Sequence, residues 1–216
     1  MPPPSNGLPI ARDCYIFLFG MGVASGFAIW SGVWWAIVLC LTLLVFCVWF
    51  FRDPARDIPK DENAIVSPAD GKVIKVEKVN EKRVLKKEAL KISIFMNIFD
   101  VHVNRVPASG KVKKIVYNRG RFFNASLDKA SLDNEQNAVV LETPGGKTIM
   151  FNQIAGLIAR RIVCHALEGM VLMKGDRFGI IKFGSRLDVY LPPEARVNVK
   201  NGDRVKAGTS IIGYWT

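Results

Sequence analysis

The sequence predicts a mainly β (α+β) fold: a compact, β-sandwich-like domain preceded by a pair of N-terminal membrane helices. Three observations lead there. No charged residue occurs from Cys14 to Phe51. Beyond residue 52, short runs rich in Val and Ile alternate with Gly and Pro at intervals of about ten residues. Three of these stretches resemble one another: GKVIKVEKV from Gly71, GKVKKIVYN from Gly110 and NGDRVKAGTSIIGYW from Asn201. Their Gly-rich openings and alternating valines suit hairpins of the lipoyl-domain kind. A carrier domain would also display a Lys on a hairpin tip between matched half-motifs, and no such Lys stands out.

Residues 1–13 are Pro-rich and read as a loose N-terminus. The uncharged run 14–51 is about 38 residues long, close to two bilayer spans of about 20 each. Ser31-Gly32 divides it where a turn belongs, so it reads as a membrane-anchoring helical hairpin. Trp30, Trp34, Trp35 and Trp49 fall where interfacial aromatics anchor a helix. The run is too long for a cleaved signal peptide and lacks a small-residue cleavage site. Arg12 on one side and Arg52, Arg56 and Lys60 on the other put both ends of the hairpin in the cytosol. After the polar linker RDPARDIPKDEN, the remainder of 52–216 is the β domain. Within it, NQIAGLIARRIVCHALEGM reads as a strand followed by a short helical turn ending at Gly169. IIKFGSRLDVYLP reads as one continuous strand, Ile180 to Pro192, weakened by a Gly in its middle.

The net charge of +11 (30 Lys+Arg against 19 Asp+Glu) fits a basic body held against an anionic leaflet. Nucleic acid is not expected, because neither a stacking-rich RNA motif nor a recognition helix is present. Cys14, Cys40, Cys47 and Cys164 form no disulfide framework and no zinc spacing, so no metal is expected and the compartment reads as reducing. Histidine chemistry has only His102 and His165 to draw on.

The oddity in the last strand is Gly184-Ser185. A Ser in a constrained turn can attack the carbonyl of the preceding residue, and Gly leaves that approach open. The amide becomes an ester, and elimination then breaks the chain. The resulting dehydroalanine hydrolyses to a pyruvoyl group with loss of ammonia. Such chemistry needs a base, a dry cradle and donors for the oxyanion. By itself Gly-Ser is a turn or bulge. SPADG (67–71) adds an Asp, Asp70, in a tight turn where it often only bonds its own backbone. FMNIFDVHVNRVPASG (95–110) adds a His, His102, in an alternating strand where it is often only structural. Together the three make the composition of a nucleophilic triad.

FFRDPAR, SPADG, FMNIFDVHVNRVP, QIAGLIARRIV, GDRFGIIKFGSRLDVYLP and VKNGDRVKAG, in that order, resemble the short bacterial phosphatidylserine decarboxylase proenzymes over essentially the whole chain. The resemblance implies self-cleavage between Gly184 and Ser185. A β chain (1–184) and an α chain (185–216) then stay associated, and Ser185 becomes a covalent pyruvoyl cofactor. It implies that Asp70 and His102 take part in processing, with His102 also assisting decarboxylation. The pyruvoyl ketone would form a Schiff base with phosphatidylserine in the bilayer and release CO2 and phosphatidylethanolamine. Longer members carry a second His three residues after the first, where this chain has Arg105. Arg160, Arg161 and Arg186 are candidates for the substrate phosphate or carboxylate, against a role as plain surface charges. The implied location is the inner cell membrane with the catalytic domain on its cytoplasmic face, and association with further copies of the chain is left open. Competing readings are a membrane-anchored lipoyl-like adaptor without catalysis, a Ser/Lys membrane peptidase, and a decarboxylase of an ether-linked serine lipid.

Overall fold

The computed structural model describes residues 10–125, 133–157, 161–182 and 185–216. The chain divides into two compact units at Ala55/Arg56.

In the first unit a 3-10 turn (Arg12–Cys14) leads into helix α1 (Tyr15–Ser31), and α2 (Trp34–Phe50) follows. The turn is made at Gly32, whose φ of 70° is the left-handed conformation a side chain disfavours. Large apolar side chains such as Ile16, Phe19, Trp30, Trp34 and Val45 are exposed on both helices. A helix apolar on all sides is not the surface helix of a soluble domain. The hydroxyls within the pair are also spent locally: Ser25 donates to Met21 O and Thr42 to Val38 O, each one turn back. Both hydroxyls thus have a backbone partner, which suits a hydrocarbon surrounding. Arg12–Ser31 is long and apolar enough to cross a membrane by length and composition. α2, at 17 residues, extends about 25 Å, slightly less than a bilayer core of about 30 Å.

Among its described residues the second unit holds fourteen strands: β1 (Ala64–Val66), β2 (Gly71–Glu81), β3 (Lys87–Met96), β4 (Val103–Arg105), β5 (Gly110–Asn118), β6 (Gln136–Glu142), β7 (Thr148–Ala155), β8 (Ile162–Cys164), β9 (Val171–Leu172), β10 (Arg177–Ile181), β11 (Ser185–Leu191), β12 (Arg196–Val197), β13 (Arg204–Val205) and β14 (Ile211–Tyr214). Eight of them form one sheet in the order β13-β2-β3-β11-β7-β6-β5-β9. Two three-stranded sheets, β4-β10-β8 and β1-β14-β12, complete it. The core lies on one face of the large sheet, where Ile92, Ile94, Phe151, Leu187 and Val189 meet Phe178 and Ile181 of β10. Phe151 and Phe178 pack edge to face with centroids 4.7 Å apart. The expected mainly β, layered domain is what the chain forms. The lipoyl-like segments supply β2, β5, and β13 with β14.

Two local expectations are corrected. The stretch ending at Gly169 is not a helical turn: Met170 N–H bonds Leu167 O in a tight turn, and Gly169 N–H reaches across to Val112 O. The backbone thus turns back to a neighbouring strand instead of coiling on itself. The run Ile180 to Pro192 is also not one strand. β10 ends at Ile181 within the β4-β10-β8 sheet, and β11 begins at Ser185 in the large sheet. The chain changes sheets between them, and one strand cannot keep its ladder through such a corner.

Candidate active site

Ser185 is the first residue of β11, at the corner where the chain enters the large sheet. It pairs with the last residue of β3, Met96, and the last residue of β7, Ala155. Its side chain is 0% exposed. The Ser185 hydroxyl donates to the thioether of Met96 at 3.8 Å. A thioether is a weak acceptor, so the hydroxyl proton is lightly held and the oxygen remains a usable nucleophile. Gly184 lies outside the described residues.

The same sulfur receives Asn104 Nδ2 at 3.7 Å. From Asn104 a buried amide chain runs inward: Gln153 Nε2 donates to Asn104 Oδ1 (2.9 Å), and Asn137 Nδ2 donates to Gln153 Oε1 (3.2 Å). All three amides are buried, and a polar network in such a place holds a single arrangement only if its members are paired. Gly179 makes room for it. A Cβ there would stand 2.2 Å from Val163 O and 3.0 Å from Gln153 Nε2. Met96, Asn104, Gln153 and Asn137 were missed from sequence. Met96 and Asn104 flank His102 in FMNIFDVHVNRVP, but a Met and an amide carry no chemical signature of their own.

His102 is fully buried just before β4. Strand alternation puts it on the same side as Asn104. β4 runs antiparallel to β10 with Val103 opposite Ile180, so continuing that register brings His102 beside Ile181, the last strand residue before the corner. The Nδ1 of His102 lies 3.0 Å from the Asp100 carbonyl. A carbonyl only accepts, so Nδ1 carries the proton and Nε2 holds the lone pair of the neutral ring. A backbone carbonyl thus holds the Nδ1 side of the His102 ring. His165 is half-buried beside β8, with its N–H on Phe178 O.

Asp70 sits elsewhere in the hydrogen-bond pattern. Arg56 Nη2 donates to both its oxygens, at 3.0 and 2.8 Å, and the Ala207 N–H donates to Oδ1 at 2.7 Å. Thus FFRDPAR, SPADG and VKNGDRVKAG, far apart in sequence, converge on one carboxylate. Arg105 touches the same corner: its N–H bonds Pro68 O, and Nη1 bonds Gly175 O. Arg105 is thus a buried cation with its guanidinium on a backbone carbonyl.

The three arginines separate. Arg160 lies outside the described residues. Arg161 is exposed, and its carbonyl accepts from Lys182 N–H across the corner. Arg186 is fully buried. Its neighbour relation to Ser185 turns it to the opposite face of the sheet. There it donates to Asp188 (2.6 and 3.2 Å) and to Ser93 Oγ (2.8 Å). It is neither a surface charge nor turned toward Ser185. Burial also pushes the Cys164 thiol above its ordinary range. No group of three His, Cys, Asp or Glu side chains suited to a metal occurs among the described residues.

The site is thus a buried serine at a sheet corner, a histidine with its basic nitrogen set by the backbone, and a dry polar cradle. Comparison with known proteins gives the lineage of the chain. The family model described as phosphatidylserine decarboxylase matches residues 43–213. A phosphatidylserine decarboxylase proenzyme of Syntrophus aciditrophicus is 51% identical over 205 residues, covering 94% of this chain and 96% of that protein. Proteins of the same description from Desulfotalea psychrophila (45% over 209 residues; 95% and 96% covered) and Magnetococcus marinus (42% over 208; 94% of each) are similarly related. The matches extend across the corner carrying Ser185 and the strands that hold it, and the chain belongs to the phosphatidylserine decarboxylase family.

Proposed function

We propose that this protein decarboxylates phosphatidylserine to phosphatidylethanolamine and prepares itself by cutting its own chain between Gly184 and Ser185. One observation carries the reading: Ser185 stands fully buried at a sheet corner, its hydroxyl against a weak acceptor, in a chain of this family. Ser185 Oγ attacks the Gly184 carbonyl carbon, and the amide nitrogen becomes an amine as the acyl group moves to oxygen. Loss of the Ser185 Cα proton expels the Gly184 carboxylate and leaves dehydroalanine. Water then releases ammonia, and the new end of the 185–216 chain is a keto acyl group. His102 Nε2, with Nδ1 committed to Asp100 O, is the base that receives the Ser185 proton. The pair of Arg56 and Asp70 braces the turn before β2 and ties it to the Ala207 loop.

Burial of Ser185 between Met96 and Ala155 suits a pyruvoyl group, a small, uncharged, water-sensitive end. That group supplies an electron sink, a carbonyl that takes the substrate amine and draws off electrons as CO2 leaves. The protein's part is to exclude water and to hold a proton on His102 for return to the substrate carbon. Arg161, exposed just before β8, is our candidate for the substrate's phosphate or carboxylate. The helix pair holds the chain in the membrane, and the basic residues Arg12, Arg52, Arg56 and Lys60 favour the cytoplasmic side for both its ends.

On a denaturing gel the purified protein is expected to give a main band near 20 kDa and a fragment of about 3–4 kDa instead of 24.0 kDa. Intact mass should place a keto acyl group at residue 185. An active preparation consisting of one unbroken chain would refute the proposal. His102→Ala is expected to slow cleavage by about 10²–10⁴-fold, as loss of a general base does. A time course of precursor loss checks it, and rapid cutting of that variant would remove His102 from the role.

A further inference from the structure

We infer that the protein binds a polyol phosphate, a phosphate ester with a free hydroxyl, in a cleft on the face of the large sheet opposite Ser185. Side chains alternate along β11, so Ser185, Leu187 and Val189 share one face, and Asp188 and Tyr190 share the other. Strand pairing extends that second face across the sheet. Asp188 stands opposite Asn152 of β7, Tyr190 opposite Met150, and Asn152 opposite Ala138 of β6. A cavity of about 320 Å³ lies there, lined by Asn152, Tyr190, Met150 and Gln136 and by Arg83 from the turn between β2 and β3. That is far more than the roughly 30 Å³ of one water and within the range of small-ligand sites.

Two polar groups in this cavity lack the partners that their burial calls for. Asn152 is 5% exposed, and its Nδ2 donates to Gln136 Oε1 (2.7 Å), but its buried Oδ1 accepts no hydrogen bond from the protein. Tyr190 is 8% exposed, and among the described residues its hydroxyl has no hydrogen-bond partner. Burial, and next the Asp188 charge, keep that phenol protonated, so it is a donor. Buried polar groups are rarely left unmet. A single hydroxyl answers both, donating to Asn152 Oδ1 while accepting from the Tyr190 O–H.

An anion site adjoins it. A hollow of about 440 Å³ shares Arg83, Asn118 and Gln136 with the cavity and adds Arg119. Arg83 and Arg119 are exposed, and neither guanidinium is paired among the described residues. The turn that carries Arg83 is built: Glu81 accepts the N–H groups of Arg83 and Val84, each at 2.8 Å. Those bonds also commit the carboxylate that lines the cavity. Two guanidiniums suit the oxygens of a phosphate. Inorganic phosphate would leave the inner pair unmet, and an uncharged polyol would leave the arginines unused. A free ester and the phosphoglycerol head of a lipid present the same chemistry.

The test is calorimetric titration of the full-length protein in a neutral detergent. The probes are glycerol phosphate, inorganic phosphate, and the short-chain lipids dioctanoyl phosphatidylglycerol and dioctanoyl phosphatidylcholine. Saturable binding of glycerol phosphate or of the phosphatidylglycerol is expected, about tenfold or more tighter than inorganic phosphate. The phosphatidylcholine, whose headgroup has no hydroxyl, should not saturate. Tighter binding of the free ester assigns a soluble ligand, and tighter binding of the phosphatidylglycerol assigns a lipid head. Arg83→Gln and Tyr190→Phe, one at each end of the cleft, should each weaken binding about tenfold. Arg83 is exposed and Phe keeps the ring of Tyr190, so both variants should melt close to wild type without ligand. Inorganic phosphate binding as tightly as the glycerol phosphates, no saturable binding of either, or an affinity unmoved in either variant overturns the proposal. The readout needs neither chain cleavage nor turnover, so failure of the decarboxylase reading would not mimic failure of this one.

Discussion

Ser185→Ala is expected to leave the protein as a single chain of 24.0 kDa and to abolish release of CO2 from phosphatidylserine. Two losses come from one atom. Without Oγ nothing attacks the Gly184 carbonyl, and without the cut no keto group exists to accept the substrate amine. Removing a nucleophile of this kind costs about 10⁴-fold or more in rate, so the residual signal should equal that of vesicles alone. The fold should survive, because Ser185 donates only a weak bond to Met96 and an alanine fits the same space. Thermal unfolding of the variant close to that of the wild-type precursor, together with absent cleavage, separates chemistry from misfolding. Decarboxylation at the wild-type rate by an uncut Ser185→Ala chain would end the pyruvoyl account.

Arg186→Ala is expected to destabilise the catalytic unit by about 3–5 kcal/mol, the usual cost of leaving one partner of a buried ion pair alone. Both side chains of the Arg186–Asp188 pair are 0% exposed, and Ser93 accepts a third bond from the guanidinium. Asp188→Ala should be comparably severe. Replacing both with apolar residues of similar size should recover part of the loss, since two desolvation costs vanish while Lys91, 3.9 Å from Asp188, still keeps Glu77 as a partner. Thermal melts of detergent-solubilised protein give the comparison. If Arg186→Ala instead folds normally and raises only KM, then Arg186 serves the substrate and this assignment fails. The pair also shapes its surroundings: burial, and next the Asp188 charge, push the Tyr190 hydroxyl well above its ordinary range.

These two residues are neighbours in sequence and opposite in fate, which illustrates what is legible without coordinates. Ser185 could be proposed because the chemistry it would perform is local: a hydroxyl, the peptide bond before it and a glycine are all within one stretch. Arg186 could not be judged. Whether a charge beside a reactive serine faces substrate or its own buried partner depends on which face of β11 it occupies and on what covers that face. The same holds for Asp70. A tight turn and a possible triad both suited its sequence setting, but its nearest bonds go to Arg56 and to Ala207, the latter 137 positions away. His102 was expected inside a strand and stands just before β4 instead, and the carbonyl at its Nδ1 is two residues upstream and carries no side-chain signal.

From sequence alone came the uncharged helix pair, the mainly β body and the proposal of a cut at Gly184-Ser185. These depend on composition, on short periodicity and on covalent neighbours, all of which are properties of contiguous residues. Tertiary structure alone decided that the run through residue 185 is broken between two sheets, and that an amide chain from Asn104 to Asn137 lies beneath the site. It likewise decided that the arginine after the serine is locked to an aspartate. Those features arise where segments far apart in the chain are forced together in a dry interior. There every polar group must find a partner, and the choice of partner is made by three-dimensional proximity, which no local pattern encodes.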